Sequence, residues 1–251
     1  MGAALVQGLL RTHREASDVV IVETSEARRG ELATMFPKVH ITAALSNCSE
    51  AIIAVKPADA PNACKSAVAA GALRVVSIAA GVRLTTLQAA CGDSVRVLRA
   101  MPNTPALVGL AATAISASSS CTAEDRTWAK ALLGSVGIVI EVDEPMLDAF
   151  TGLVGSGPAY LFYVAEALQT AARDHGFDES TSAAIVAQLF VGTAALLQRE
   201  PGHARELRER VTSPKGTTAA GVELLDERQV RAAVIAAVLA ATQRSKELGD
   251  A

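Results

Sequence analysis

Between residues 19 and 142 the chain is punctuated by short apolar runs, several of them separated by stretches with helical spacing. The runs fall at residues 19–22, 39–42, 51–55, 73–78, 95–98, 111–116 and 138–142. Such runs have strand character, and the helical stretches that separate several of them can cover the resulting sheet. The alternation predicts a largely parallel, doubly wound sheet, with ligands expected beyond the carboxyl ends of its strands. Residues 3–10 read as a helix ahead of the first run.

From residue 146 the pattern changes. Residues 147–170 have helical apolar spacing but are interrupted by Gly152, Gly155, Gly157 and Pro158. Such residues weaken a helix and usually mark a kink or a close backbone contact. Two more apolar helices follow at 180–198 and 229–246. A helix apolar on most sides needs more partners than a short chain offers. The expected organisation is an α/β dinucleotide-binding domain at 1–145 and an all-α domain at 146–251, the latter forming an interlocked dimer with a shared core. Half of the 251 residues are hydrophobic but only 3% aromatic, so that core must be made of Ala, Val, Leu and Ile.

The formal charge of -3 leaves no basic footprint for nucleic acid. Cys48, Cys64, Cys91 and Cys121 form no Cys-x-x-Cys pair, so neither a zinc site nor a disulfide framework is suggested, and a reduced, cytoplasmic setting is expected. The apolar run at 3–10 is too short to span a bilayer, and no membrane partner is expected.

One polar segment stands out in the helical half: Val211-Thr212-Ser213-Pro214-Lys215-Gly216-Thr217-Thr218, between helical patterns at 204–210 and 219–225. Hydroxyls and a glycine at a helix start direct unpaired N–H groups and the positive helix end toward one point, which suits a carboxylate. The same residues also make an ordinary capped helix start. The loop by itself does not choose between the two.

Four further motifs precede this loop: Ala54-Val55-Lys56-Pro57, Ser77-Ile78-Ala79-Ala80-Gly81, Met101-Pro102-Asn103-Thr104-Pro105 and Thr151-Gly152-Leu153-Val154-Gly155-Ser156-Gly157-Pro158-Ala159-Tyr160. Together, in this order and over almost the whole chain, the five motifs resemble the pyrroline-5-carboxylate reductases. The resemblance implies a Rossmann-like domain followed by a helical dimerisation domain, and a cytoplasmic homodimer or higher homo-oligomer. It implies reduction of the cyclic imine 1-pyrroline-5-carboxylate to L-proline, the last step of proline biosynthesis, with NADPH or NADH as cofactor and no metal. Cofactor contacts are implied at Gly2, Ser25, Ala54, Val55, Lys56, Pro57, Ala80, Gly81 and Asn103. Substrate contacts are implied at Ser156, Gly157, Ser213, Gly216 and Thr217, with Thr218 as the catalytic candidate that hydrogen-bonds the ring nitrogen.

The residues themselves carry part of this. Pro57 has no N–H to continue a central ladder, so the chain turns there and Lys56 emerges at the carboxyl edge. The small residues of 77–81 permit a ring to lie against the backbone. Asn103 can donate and accept, which suits a carboxamide or a bound water. Each piece alone also fits a structural turn, and Tyr160 fits a core aromatic. An iminium carbon is already electrophilic, so placement and charge balance matter more than a strong base. His13, His40, His175 and His203 accordingly lie outside all five motifs.

The chain departs from the family in three places, and its choice of nicotinamide stays open. Met1-Gly2 resembles only the last two residues of the glycine fingerprint, so the first strand and most of the glycine-rich turn are missing, and poor dinucleotide binding is expected of this polypeptide. Either Met1 is an internal methionine of a longer chain or the shortening is real. After the second strand, Glu23 favours a ribose hydroxyl whereas Ser25, Arg28 and Arg29 favour a 2'-phosphate, which leaves NADPH and NADH both open. The segment between Thr42 and Ala51 is shorter than in the family, so no cofactor role passes to Asn47. Lys215 stands where the family often has Gly, and a lysine between Pro and Gly is expected to point to solvent.

Two rival readings fit the pattern. One is another small Rossmann dehydrogenase of the β-hydroxyacid type, but no Gly-x-x-x-Lys placement for its catalytic lysine is evident in the helical half. The other is a non-catalytic dimeric binding or regulatory protein derived from this family. The coding region upstream of Met1 separates them: an in-frame strand and glycine turn restores the reductase.

Overall fold

The computed structural model describes residues 1–12 and 15–249, which leaves His13 outside the described residues. The chain forms two compact units, residues 1–156 with 239–251, and residues 157–238. The first unit therefore extends past the expected boundary at 145 and takes back the end of the chain.

Among the described residues, seven strands and the helices between them build the first unit. β1 (Val20–Val22) and β2 (His40–Thr42) pair in parallel as one small sheet. β3 (Glu50–Ile53), β4 (Arg74–Ser77), β5 (Arg96–Met101), β6 (Ala111–Ala117) and β7 (Gly137–Glu141) form a second sheet in that order. Among the described residues β1 pairs only with β2, and β3 only with β4, so each keeps an unpaired edge. β3, β4 and β5 are mutually parallel, but β6 runs antiparallel to β5 and β7 follows β6. The expected parallel sheet thus holds with one reversal. Only a short 3-10 turn (Thr104–Val108), closed by Gly109 in the left-handed region at φ 76°, joins β5 to β6. That is too short for the crossover a parallel neighbour requires.

The two faces of the large sheet follow the period of two along its strands. Val75 and Val97 point to one side, where α3 (Ala60–Ala69) and α4 (Leu84–Cys91) cover them with Cys64, Leu87 and Cys91. Val76 and Leu98 point to the other, under Trp128, Ala129 and Leu133 of α5 (Ala123–Gly134). α1 (Gly2–Arg11) is apolar on two sides and serves both sheets. Its Ala4, Leu5 and Leu9 join the core beneath the large sheet, while Ala3, Val6 and Leu10 pack against Phe36 and Val39 beside β1, β2 and α2 (Glu26–Met35). Gly8 is needed for this approach, since a Cβ there would fall 2.5 Å from Val136 Cγ1.

α5 begins with a capping box: Asp125 accepts from the Thr122 N–H at 2.8 Å while the Thr122 hydroxyl accepts from the Asp125 N–H at 3.3 Å. Asp125 also meets Arg96 at 3.1 Å and Arg74 at 3.4 Å. Burial pushes its carboxyl up, but the Thr122 hydrogen bonds and the two arginines outweigh this and hold it below its ordinary value. Arg74 lies over the Trp128 ring at 5.7 Å, and the indole N–H donates to Glu50 Oε2 at 2.8 Å.

The interrupted helix of the glycine-rich stretch resolves into three pieces. α6 (Met146–Phe150) runs into a π-helical segment (Thr151–Gly155), in which the Ser156 N–H reaches the Thr151 carbonyl at 2.9 Å, and α7 (Gly157–Asp174) follows. The wider turn coincides with a close approach, because a Cβ on Gly155 would lie 2.9 Å from Met101 Cε. Leu147 and Asp148 of α6 are buried, which explains why this helix belongs with the sheet and not with the helices that follow.

The second unit holds α7, α8 (Glu179–Arg199), α9 (Ala204–Arg210), α10 (Thr217–Glu227) and the start of α11 (Val230–Gly249). α7 and α8 pack on each other, and Asp178 caps α8 by accepting from the Thr181 N–H at 2.7 Å. Most apolar side chains here stay exposed: Phe162 on α7 by 65% and Val191 on α8 by 63%. α8 is long and apolar enough to cross a membrane by length and composition alone.

Candidate active site

At the carboxyl ends of β3, β4 and β5 three short turns come together. Gly2 opens α1 against the first of them, with a Cβ on Gly2 only 3.4 Å from that of Ala54. Ala54 and Val55 leave β3, and Lys56 and Pro57 start a 3-10 turn with the Lys56 side chain exposed. The Ile78 N–H donates to the Ile53 carbonyl at 3.0 Å, which ties the next turn alongside. There the Ser77 hydroxyl accepts from the Ala79 N–H at 3.3 Å, Ala80 is exposed, and Gly81 turns the chain at φ 76°. No side chain caps the N-terminus of α1, so its amide groups and small neighbours offer a backbone surface to an anionic ligand.

Asn103, on the third turn, is nearly buried and engaged on both sides of its amide. Oδ1 accepts from the Ala112 N–H at 3.0 Å, and Nδ2 donates to the Val154 carbonyl at 3.2 Å. It thereby fixes the turn after β5 to the π-helical segment, and Ser156 follows directly. One amide hydrogen and one lone pair of Asn103 remain for a ligand.

Ser25 follows β1 as the N-cap of α2. Its hydroxyl accepts from the Arg28 N–H at 3.4 Å, and its own N–H donates to Glu23 Oε1 at 2.9 Å. Arg29 donates to the carbonyls of Glu23 and Thr24 at 2.9 and 2.8 Å, whereas Arg28 pairs with Glu31. The Glu23 carboxylate is thus folded onto its own loop, and the two arginines are committed to structural partners.

In the second unit, residues 213–218 form the loop between α9 and α10. The Gly216 N–H donates to the Ser213 carbonyl at 3.0 Å, and a Cβ on Gly216 would come within 3.1 Å of that carbonyl. Lys215 sits at φ 61°, a left-handed conformation uncommon for a side chain of this kind, and is exposed. Gly216 is the N-cap of α10, and no side chain caps the helix. Ser213, Thr217 and Thr218 are exposed. The plain capping alternative therefore lacks its hydrogen bond, while the first amides of α10 stay open to an anion. Gly157 opens α7 with free space beside it.

Polar residues outside the sequence motifs support the turn after β4. Glu144 accepts from the Leu84 N–H at 2.6 Å and from buried Arg99 at 3.2 Å. Asp148 accepts from Arg83 at 3.1 Å and from the Ser245 hydroxyl at 2.8 Å. Sequence reasoning missed all of these; the available signal was an aspartate set between Leu147 and Phe150 in an otherwise apolar stretch. Among the described residues no cluster of three or more His, Cys, Asp or Glu side chains is placed to hold a metal ion.

Residues 144–248 match the family described as pyrroline-5-carboxylate reductase dimerisation. A pyrroline-5-carboxylate reductase of Synechocystis is 39% identical over 99% of this chain and 95% of its own length. The solved structure of a pyrroline-5-carboxylate reductase from Coxiella burnetii is similar with a TM-score of 0.90 at 30% identity, covering 98% of this chain and 94% of the other. A Plasmodium falciparum pyrroline carboxylate reductase solved with NADP bound has the same fold, with a TM-score of 0.86 at 24% identity over 99% and 94% of the two chains.

Proposed function

The chain belongs to the pyrroline-5-carboxylate reductases, and from that premise we propose how its residues carry the reaction. The enzyme reduces 1-pyrroline-5-carboxylate to L-proline with NAD(P)H. Gly2, Ala54, Val55, Lys56, Pro57, Ala80, Gly81 and Asn103 hold the dinucleotide, with Ser25 toward its ribose. The observation that supports this is the convergence of three small-residue turns and an uncapped helix start at one edge of the sheet. When bound, the reduced nicotinamide supplies a hydride to the electrophilic carbon of the imine.

The chain's own residues bind and orient the substrate, whose iminium nitrogen already carries its proton. Ser213, Gly216 and Thr217 hold the substrate carboxylate through hydroxyls and the open amides of α10, and Ser156 and Gly157 line the space for the ring. Charge balance comes from the helix end, since the iminium form carries a positive nitrogen beside a carboxylate that the amides already hold. Thr218 hydrogen-bonds the ring nitrogen and accepts no permanent charge.

The active form is a homodimer. The apolar faces of α7 and α8 lie within the region matched to reductase dimerisation, so a second copy, and not a bilayer, covers α8. The setting is cytoplasmic and no nucleic acid or membrane takes part.

Replacing Thr218 by Ala tests the assignment. Turnover should fall roughly tenfold to a hundredfold, the range for losing one hydrogen bond to a reacting group, while the melting temperature stays within about 2 °C. Equal losses in both would return this residue to a purely structural role at the helix start.

A further inference from the structure

The turn at 79–83 is held from outside by the last turn of α11. A Cβ on Gly81 would lie 3.5 Å from the Leu248 carbonyl oxygen, and one on Gly249 would lie 3.0 Å from Arg83 Nε. The carbonyls at a helix end lack partners within the helix and attract a cation, so the Arg83 guanidinium is well placed there. What keeps Arg83 and α11 in register is Asp148, only 2% exposed. One carboxylate oxygen takes Arg83 at 3.1 Å and the other takes the hydroxyl of Ser245, itself 6% exposed, at 2.8 Å. Three segments far apart in sequence thus share one buried carboxylate. Glu144 completes the arrangement by accepting from the Leu84 N–H at 2.6 Å, so the turn is fixed both at Arg83 and at the start of α4.

We infer that Asp148 is a positioning residue for dinucleotide binding: by gripping Arg83 and Ser245 together it sets the backbone of residues 79–83 at the cofactor edge. The inference rests on the assignment of Ala80 and Gly81 to the cofactor site. Its consequence falls on cofactor affinity and leaves the substrate loop untouched, because the grip contains no residue of 213–218.

Ser245→Ala removes one arm while leaving Asp148 and Arg83 in place, and Ser245→Thr restores the hydroxyl. Fluorescence titration of the purified chain with NADPH should give a Kd about tenfold weaker for Ser245→Ala, the effect of losing one hydrogen bond to a buried carboxylate, with Ser245→Thr within about twofold of wild type. The KM for NADPH should rise in parallel, with kcat at saturating cofactor and the KM for the imine unchanged. Amide hydrogen exchange at 79–84 should quicken in Ser245→Ala and return in Ser245→Thr. An unchanged NADPH Kd, an equal rise in both KM values, or failure of threonine to restore binding would overturn the proposal. Intact NADPH binding without imine turnover in wild type would sink the reductase assignment alone, with the titration still deciding the role of Asp148. No NADPH binding in wild type would overturn the cofactor-site assignment, whereas hydrogen exchange at 79–84 that is unaltered in Ser245→Ala would overturn the role of Asp148.

Discussion

In the first unit Leu133 and Leu147 are fully enclosed, whereas in the second Phe162 and Val191 are 65% and 63% exposed. Both units draw on the same aliphatic residues, so aliphatic composition does not separate them. Architecture does. A sheet with α1 and α5 on one face and α3 and α4 on the other consumes its apolar surface within a single chain. Helices apolar over much of their circumference leave surface over once each has met one neighbour. The second unit by itself thus leaves apolar surface uncovered, which is what the proposed dimer would bury.

Charging the exposed face should have the largest effect. With Phe162→Asp and Val191→Asp combined, sedimentation at micromolar concentration should show a monomer where the unaltered chain is a dimer or larger, since apolar anchors of this kind contribute roughly 2 kcal/mol or more each. A monomeric unaltered chain would erase the contrast between the units. The converse change is internal: Leu133→Ala should cost about 3 kcal/mol in denaturant titration, as a cavity in a closed core does, without altering the assembled mass. A change of mass would mean that the first unit also depends on a partner.

The smallest effect sharpens the picture of how the first unit closes. Asp125 has a lowered folded-state pKa, so its contribution is present above the ordinary unfolded value of 3.8 and is lost as pH falls through the folded value. Asp125→Asn should lower stability by roughly 1–2 kcal/mol at neutral pH, and the gap from wild type should narrow on acidification below pH 3.8. A gap that stays constant with pH would assign the loss to packing.

Much of this was legible in the sequence, for identifiable reasons. The seven strands among the described residues coincide with apolar runs, and for β4, β5 and β6 the reason is burial on both faces. The π-helical segment lies where Gly152 and Gly155 interrupt helical spacing. The reversal at β6 was not legible, since an apolar run carries no direction, although the short link at 104–110 was the available hint. The return of 239–251 to the first unit was hidden by the even apolar pattern of α11. The Asp148 grip was hidden for another reason: its partners lie 65 and 97 residues away, and single polar residues at such distances leave no local pattern.

The only tryptophan of the chain, Trp128, sits under the large sheet, bonded to Glu50 and stacked by Arg74. Its emission is therefore a private signal of the α/β unit, silent about the helices of residues 157–238. Circular dichroism at 222 nm, by contrast, weighs those helices heavily. Followed together through a denaturant series, the two spectra give separate melting curves for each half of the molecule without a label or a cut in the chain.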